Sequence, residues 1–331
     1  MKSVLQVRKP VAEAWFVTTN AVLAKVDPSH GPTQAAAIVN RVYRETPPVS
    51  RRDATEFASF CAAWIDAHTQ PINPSDMLTF EEWLEGTQYT LAEKAKITAA
   101  VDEQFPKRHD PKLRKRKAFV KDEEYAKINH ARLICAGEDL FKGIFGPYWK
   151  VVENQIFSLP HFAKHIPRVD LADALVGLAA KVMPILIEGD DCIYFDGTLY
   201  LVGDFESYES LLVVALTRAI ERRALRRIHL HTLSEDLALL ADEVYGWDGR
   251  PTTVHTNQVQ AKGPARRFSG DNQTSLGNGL ANFLIWLFIQ SNNLPITPDT
   301  FLRYGFRIKL STHDSGSSAS FCGVICDQYE R

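Results

Sequence analysis

The stretch 189–205, GDDCIYFDGTLYLVGDF, sets adjacent carboxylates at Asp190 and Asp191 and a third at Asp204 inside strand-forming sequence. Carboxylates that close repel and raise one another's pKa. Three of them are stable together when divalent cations hold them, and hard oxygen ligands suit Mg²⁺ or Mn²⁺. Two such ions support phosphoryl transfer, activating an attacking hydroxyl and stabilising a leaving oxygen. The competing reading is a solvated acidic turn on an edge hairpin.

Local geometry decides whether the three acids meet. ILIE (185–188) and CIYF (192–195) read as strands around a Gly189-Asp190-Asp191 tip. Asp196-Gly197 is a two-residue hairpin signal, because a type I′ turn requires positive φ at both central positions. The strand TLYLVG (198–203) then delivers Asp204, giving a three-stranded antiparallel meander. A two-residue turn at 196–197 pairs 195 with 198 and 191 with 202, which places Asp204 opposite Gly189. Side-chain parity puts Asp191 and Asp204 on one face.

A second polar cluster lies at 266–282, RRFSGDNQTSLGNGLAN. Ser269 and Gly270 form a flexible entry to a helix, along which Thr274, Asn278 and Asn282 follow at i, i+4 spacing. Small polar groups beside an acidic metal site suit hydrogen bonding to ribose and template backbone. Standing alone, they would read as a polar stripe on an ordinary helix.

The rest of the chain bounds these readings. With 331 residues, 45% hydrophobic and 24% charged, it has the composition of a globular protein with room for two or three subdomains. Net charge is −2, yet residues 107–117 hold seven Lys/Arg against one Asp, and 218–227 hold five Arg against one Glu. Either run alone reads as a solvated face; together they point to channels for an anionic polymer. Cys61, Cys135, Cys192, Cys322 and Cys326 are scattered and odd in number, which fits free thiols in a reducing compartment. Cys322-x-x-x-Cys326 lacks a second ligand pair and reads as structural rather than as a zinc site. The longest apolar run, Leu280 to Ile289, is far short of the ~20 residues of a membrane span.

Residues 1–106 read as helical, with capping boxes at Thr79–Glu82 and Thr90–Glu93. A β-like segment follows the basic run, then helices to about 181. A long amphipathic helix is expected over roughly 208–227, polar mixed sequence over 228–263, and an apolar helix over 274–290.

Ser-Gly-x-x-x-Thr-x-x-x-Asn (269–278) strongly resembles motif B of the RNA-dependent RNA polymerases of positive-strand RNA viruses, and SGDNQTSLGNGLANF looks most like the tombusvirus-like and sobemovirus-like enzymes. Asp204-Phe-Glu-Ser-Tyr-Glu209 resembles motif A and Gly189-Asp190-Asp191 motif C. Phe119-Val-Lys-Asp-Glu-Glu, continuing to Arg132, resembles the basic motif F. Tyr304-Gly-Phe-Arg-Ile-Lys309 is similar to motif D and Phe321-Cys-Gly323 to motif E. The usual order is A, B, C; here the Gly-Asp-Asp comes first, as in the permuted C-A-B palms of birnavirus and permutotetravirus polymerases.

The resemblance implies an α+β right-hand polymerase with an antiparallel palm sheet flanked by helices, a helical N-terminal and fingers region, and a missing or minimal thumb. It divides the chain into an N-terminal extension or fingers (1–106), fingers with motif F (107–183), palm motifs C and A (184–227), a fingers insertion (228–263), and palm motifs B, D and E (264–331). It implies Asp190, Asp191 and Asp204 as ligands of two Mg²⁺ (or Mn²⁺) ions and Lys309 as a proton donor. Lys121 and Arg132 would clamp the triphosphate. Glu209, Ser269, Gly270, Thr274 and Asn278 complete the nucleotide-binding set, Glu209 and Asn278 sensing the ribose 2′-hydroxyl. The implied partners are RNA template and product, NTPs, and a separate thumb or other replication proteins. The implied setting is the host cytoplasm, at replication complexes. Two rival readings are a catalytically inactive polymerase-like protein that binds RNA, and a reverse transcriptase.

Overall fold

In the computed structural model, which describes residues 12–16, 22–103, 106–125, 130–181, 183–316, 318–322 and 324–325, the acidic meander forms and gains a fourth strand. β6 (Ile185–Glu188), β7 (Asp191–Phe195) and β8 (Tyr200–Phe205) are antiparallel neighbours, and β11 (Ile308–His313) adds to β8. One face of this sheet carries Ile185, Ile187, Cys192, Tyr194, Leu201 and Phe205 into the main core. They pack with the Thr274–Ser291 helix, which is buried on nearly every side, as expected of a helix apolar all round. Gly203 lets that helix come close: a Cβ there would stand 2.6 Å from Cys192 Sγ and 3.3 Å from the Trp286 ring. The other face carries Leu186 and Ile193 into a smaller cluster with Leu171, Leu175, Leu178 and Phe321.

The meander differs from its expected register by two residues. Phe195 pairs with Tyr200 and Asp191 with Asp204, so the connection spans Asp196 to Leu199 rather than two residues. The Asp196 side chain explains the longer loop: its Oδ1 accepts from the Thr198 and Leu199 amides at 2.8 and 2.7 Å. That Asx-type capping competes with the two-residue turn. An even shift preserves parity, so both acids stay on one face.

A second four-stranded sheet runs in the order β10 (Gln260–Gly263), β9 (Thr252–His255), β3 (Lys115–Val120), β5 (Leu133–Ala136). Burial alternates along β3, with Arg116, Ala118 and Val120 inward. The basic run 107–117 is therefore not uniformly solvated. Arg116 is buried and binds Asp271 at 3.0 Å, and Arg114 pairs with Glu243 and Asp248.

The N-terminal region departs from its all-helical expectation. β1 (Ala12–Phe16) and β2 (Val22–Val26) pair with each other, and β2 continues to β4 (Glu124–Tyr125). Helices follow at Arg51–His68, Phe80–Glu85 and Leu91–Glu103, and both Thr–Glu capping boxes form. The expected helix over 208–227 is broken at Leu212–Val213, where Val213 bridges to Arg266. Three of its five arginines are neutralised locally: Arg222 and Arg226 bind Asp242, and Arg223 binds Asp66. Arg218 instead donates to the Trp247 carbonyl, and neither it nor Arg227 forms an ion pair among the described residues. Residues 228–263 hold a Ser234-capped helix (Glu235–Val244) as well as β9 and β10. Cys61, Cys135, Cys192 and Cys322 are free thiols, while Cys326 lies outside the described residues. No helix among the described residues is long and apolar enough to cross a membrane.

Candidate active site

Two hairpins and an added strand assemble a row of charged side chains. Glu188 pairs with Asp191, Asp191 with Asp204, and Asp204 with Lys309, so four residues stand side by side across β6, β7, β8 and β11. Directly opposed residues hold their Cβ atoms about 4.5–5.5 Å apart. Asp190 occupies the two-residue tip beside the row, with Gly189 at φ +60° supplying the positive dihedral the tip requires.

The row is electrostatically loaded. The Asp191 carboxyl is pushed up to about 6, first by desolvation against the surrounding chain and then by Asp190, Asp204 and Glu188, although the residue keeps a face open to solvent. Asp204 is also raised, first by desolvation and then by Asp190 and Glu206, with Lys309 and Arg41 opposing. Lys309 Nζ is steered by Glu206 at 3.2 Å, and Glu206 in turn meets Arg44 at 3.3 Å.

Among the described residues no group of three or more His, Cys, Asp or Glu is gathered into a ready metal cage. The donor chemistry nevertheless fits Mg²⁺. That ion keeps several waters and is commonly held by one or two carboxylates together with substrate phosphate, rather than by an all-protein cage. Asp191 and Asp204 supply such a pair on one face; their carboxyls are raised first by desolvation and then by neighbouring acids, and a divalent cation would offset both.

This gives a thermal prediction with a definite sign. A carboxyl whose folded pKa exceeds its unfolded value of 3.8 destabilises the fold above that value, and the penalty grows as pH rises through about 6. Asp191→Asn should therefore melt above the parent at pH 8 without divalent ions, and the two should converge near pH 4. Added Mg²⁺ should raise the parent's melting temperature and leave the variant's nearly unmoved. Scanning calorimetry at the two pH values, with and without Mg²⁺, checks both.

The apolar helix fixes the tip from below. Buried Asn282 donates from Nδ2 to the carbonyls of Gly189 at 3.1 Å and Asp191 at 3.2 Å. Asn282→Leu leaves both carbonyls without that donor and should cost roughly 1–3 kcal/mol, measured as a lower urea midpoint at unchanged slope.

The loop at the head of that helix is tied to β5. Ser269 Oγ donates to Leu133 O at 3.0 Å and accepts from Cys135 N at 3.3 Å, and Gly270 N donates to Cys135 O. A Cβ on Gly270 would meet Cys135 O at 2.7 Å, so only glycine fits this approach. Thr274 Oγ1 donates within the loop, to Asp271 O and Phe268 O. The Asn278 side-chain oxygen accepts from Arg267 at 3.4 Å, and Glu209 lies 3.9 Å from Arg41. Lys121 and Arg132 are joined by a backbone hydrogen bond and both pair with Glu123.

Sequence reasoning missed Glu188, Arg41, Arg44 and the buried Arg267–Glu221 pair. Glu188 was within reach, since a two-residue tip at 189–190 necessarily pairs 188 with 191. The two N-terminal arginines carry no sequence signal, because their acidic partners lie more than 160 residues away.

No family model matches the chain, and no curated protein matches it in sequence. Its fold is nevertheless shared with viral RNA polymerases of known structure. In particular it is similar to birnavirus VP1. The structure of the birnavirus VP1–VP3 complex aligns with a TM-score of 0.54 at 14% identity, over 87% of this chain and 47% of that one. RNA polymerase VP1 from infectious pancreatic necrosis virus aligns at 0.51, with 14% identity and the same coverage of 87% and 47%. The chain thus spans about half the length of the structures it matches.

Proposed function

We propose that the chain is an RNA-directed RNA polymerase, a nucleotidyltransferase that copies a viral RNA genome in the host cytoplasm, with its palm motifs permuted to C-A-B. The observation that carries this is the cross-strand row Asp191–Asp204–Lys309, built on a fold shared with viral RNA polymerases. Strand adjacency supports the permutation. β7 and β8 lie antiparallel, so the end of one is joined to the start of the other by a four-residue loop, while the carboxylates stay opposed. Function depends on that site rather than on chain order.

Asp191 and Asp204, with Asp190 at the adjoining tip, would hold Mg²⁺. When bound, such ions lower the pKa of the primer 3′-hydroxyl and neutralise the triphosphate and departing pyrophosphate. The remaining chemistry is positioning. Lys309, aimed by Glu206, stands beside Asp204 and would donate a proton to pyrophosphate. Lys121 and Arg132 would receive the triphosphate, Arg132 through its bidentate fork. Glu209 and Asn278 would read the ribose 2′-hydroxyl, while Ser269, Gly270 and Thr274 hold the loop that presents Asn278.

Primer-template extension with Mg²⁺ and the four ribonucleotides is the test. Incorporation that disappears in Asp191→Asn supports the reading; RNA binding without incorporation would favour the inactive replication protein. Preferential use of deoxynucleotides would favour a reverse transcriptase.

A further inference from the structure

The β10–β9–β3–β5 sheet has one face that neither the core nor the site explains. Its inward face, with Val254, Arg116, Ala118, Val120, Leu133 and Cys135, is buried. Registered pairing places Lys262, Thr253 and Lys115 in one outward row, and Gln260, His255 and Lys117 in the next. Two residues further along β3 comes Phe119, opposite Ile134. Rows two residues apart on a strand are about 6.5 Å apart. Phe119 is 54% exposed, the only aromatic among the exposed large hydrophobic side chains of the described residues.

This face borders a groove of about 1010 Å³, whose floor includes Lys115, Lys117 and Phe119 and whose walls add Lys96, Lys107 and Lys112. None of those five lysines, nor Lys262, forms an ion pair among the described residues, unlike the neutralised arginines at 222–226. The acids on the walls are mostly engaged. Glu93 caps Thr90, Asp110 caps the Lys112 amide, and Asp139 binds Lys142; Glu138 stands alone. No lining residue belongs to the palm sheet or to the Thr274–Ser291 helix, and Arg116, which reaches the motif B loop, points the opposite way. A half-exposed ring flanked by unpaired lysines matches the chemistry of single-stranded nucleic acid, whose bases stack on aromatic faces while cations track the phosphates.

We propose that the outward face of this sheet is a binding platform for single-stranded RNA, separate from the palm site, with Phe119 as the stacking surface and Lys115, Lys117 and Lys262 as phosphate contacts. The choice of RNA over DNA rests on the polymerase reading; the platform itself does not, because it requires neither metal nor nucleotide.

The experiment measures fluorescence anisotropy of a labelled dodecauridylate with the full chain, without NTPs or divalent ions, over a range of salt. Phe119→Ala should weaken binding about tenfold, while Phe119→Trp retains it. Lys115→Gln with Lys117→Gln should reduce the slope of log K against log salt by about 1.4, at about 0.7 per phosphate contact. Unchanged melting temperatures establish that these surface variants remain folded. A blunt RNA duplex, whose bases cannot stack on the ring, should bind Phe119→Ala as it binds the parent. The proposal is overturned if Phe119→Ala and the double lysine variant both bind dodecauridylate with parental affinity. It is equally overturned if heparin or phosphatidylserine vesicles displace the oligomer identically from parent and Phe119→Ala, which marks a general polyanion or membrane surface. A chain that binds the oligomer through Phe119 yet incorporates no nucleotide would refute the polymerase reading and leave the platform standing.

Discussion

Arg267→Met will destabilise the protein by about 3–5 kcal/mol, the cost of stranding a buried charge. Arg267 and Glu221 are a buried pair, joined through the Nε and Nη2 of one guanidinium edge, with Gln273 donating to the same carboxylate at 3.3 Å. Burial pushes the Glu221 carboxyl up, and Arg267 is the main group opposing that rise. Arg267 also donates to the Gln273 and Thr274 carbonyls at 3.1 and 3.0 Å, which ties it to the first turn of the Thr274–Ser291 helix. A side chain at Gly277 would collide with its guanidinium, so the glycine makes room for it. In the Met variant Glu221 becomes a carboxyl whose folded pKa lies well above its unfolded value. The penalty then grows as pH rises above the unfolded value of 4.5 toward the raised folded value, and vanishes below 4.5. The double variant Arg267→Met/Glu221→Leu removes both charges and should recover most of the loss. Urea unfolding of the two singles and the double gives the coupling energy; additive losses would show that the pair is not the source.

These residues show where sequence reading stops. The meander was legible because alternation, a Gly-Asp tip and an Asp-Gly turn are local signals, and parity survives a register error of two. The loop length was not, because Asp196 capping two amides competes with the two-residue turn on equal terms in sequence. The capping boxes were read correctly for the same local reason. By contrast Arg116 looks like one more member of a basic run, and only burial distinguishes it from Lys115 and Lys117 beside it. The arginines at 222–226 looked like a polyanion surface until Asp242 and Asp66, distant in sequence, folded against them. β1 and β2 were read as helical; they pair with each other as a hairpin, and only β2 gains a distant partner, β4, about a hundred residues downstream.

Asp204→Asn should reduce ribonucleotide incorporation by about 10³-fold or more, the scale on which removing one preorganised electrostatic contact costs catalysis. Asp204 is central in the row, between Asp191 and Lys309, and so touches both the candidate metal pair and the candidate proton donor. Glu188 stands one strand further out, beside Asp191 and hydrogen-bonded with Cys322 rather than next to Asp204, so Glu188→Gln should cost about tenfold or less. Lys309→Leu falls between, at about 10²-fold, the lower range for a general acid. Its loss should appear mainly in kcat, because Lys309 is 69% exposed and its partner Glu206 keeps Arg44. The Asn variant keeps the shape of Asp204 and relieves repulsion in the row, so its melting temperature without Mg²⁺ should equal or exceed the parent's. A folded, more stable and inactive chain is therefore the expected signature. If Asp204→Asn stays active while Glu188→Gln does not, the reacting groups sit on the β6 side of the row. The assignment of Asp204 as the motif A carboxylate would then be wrong.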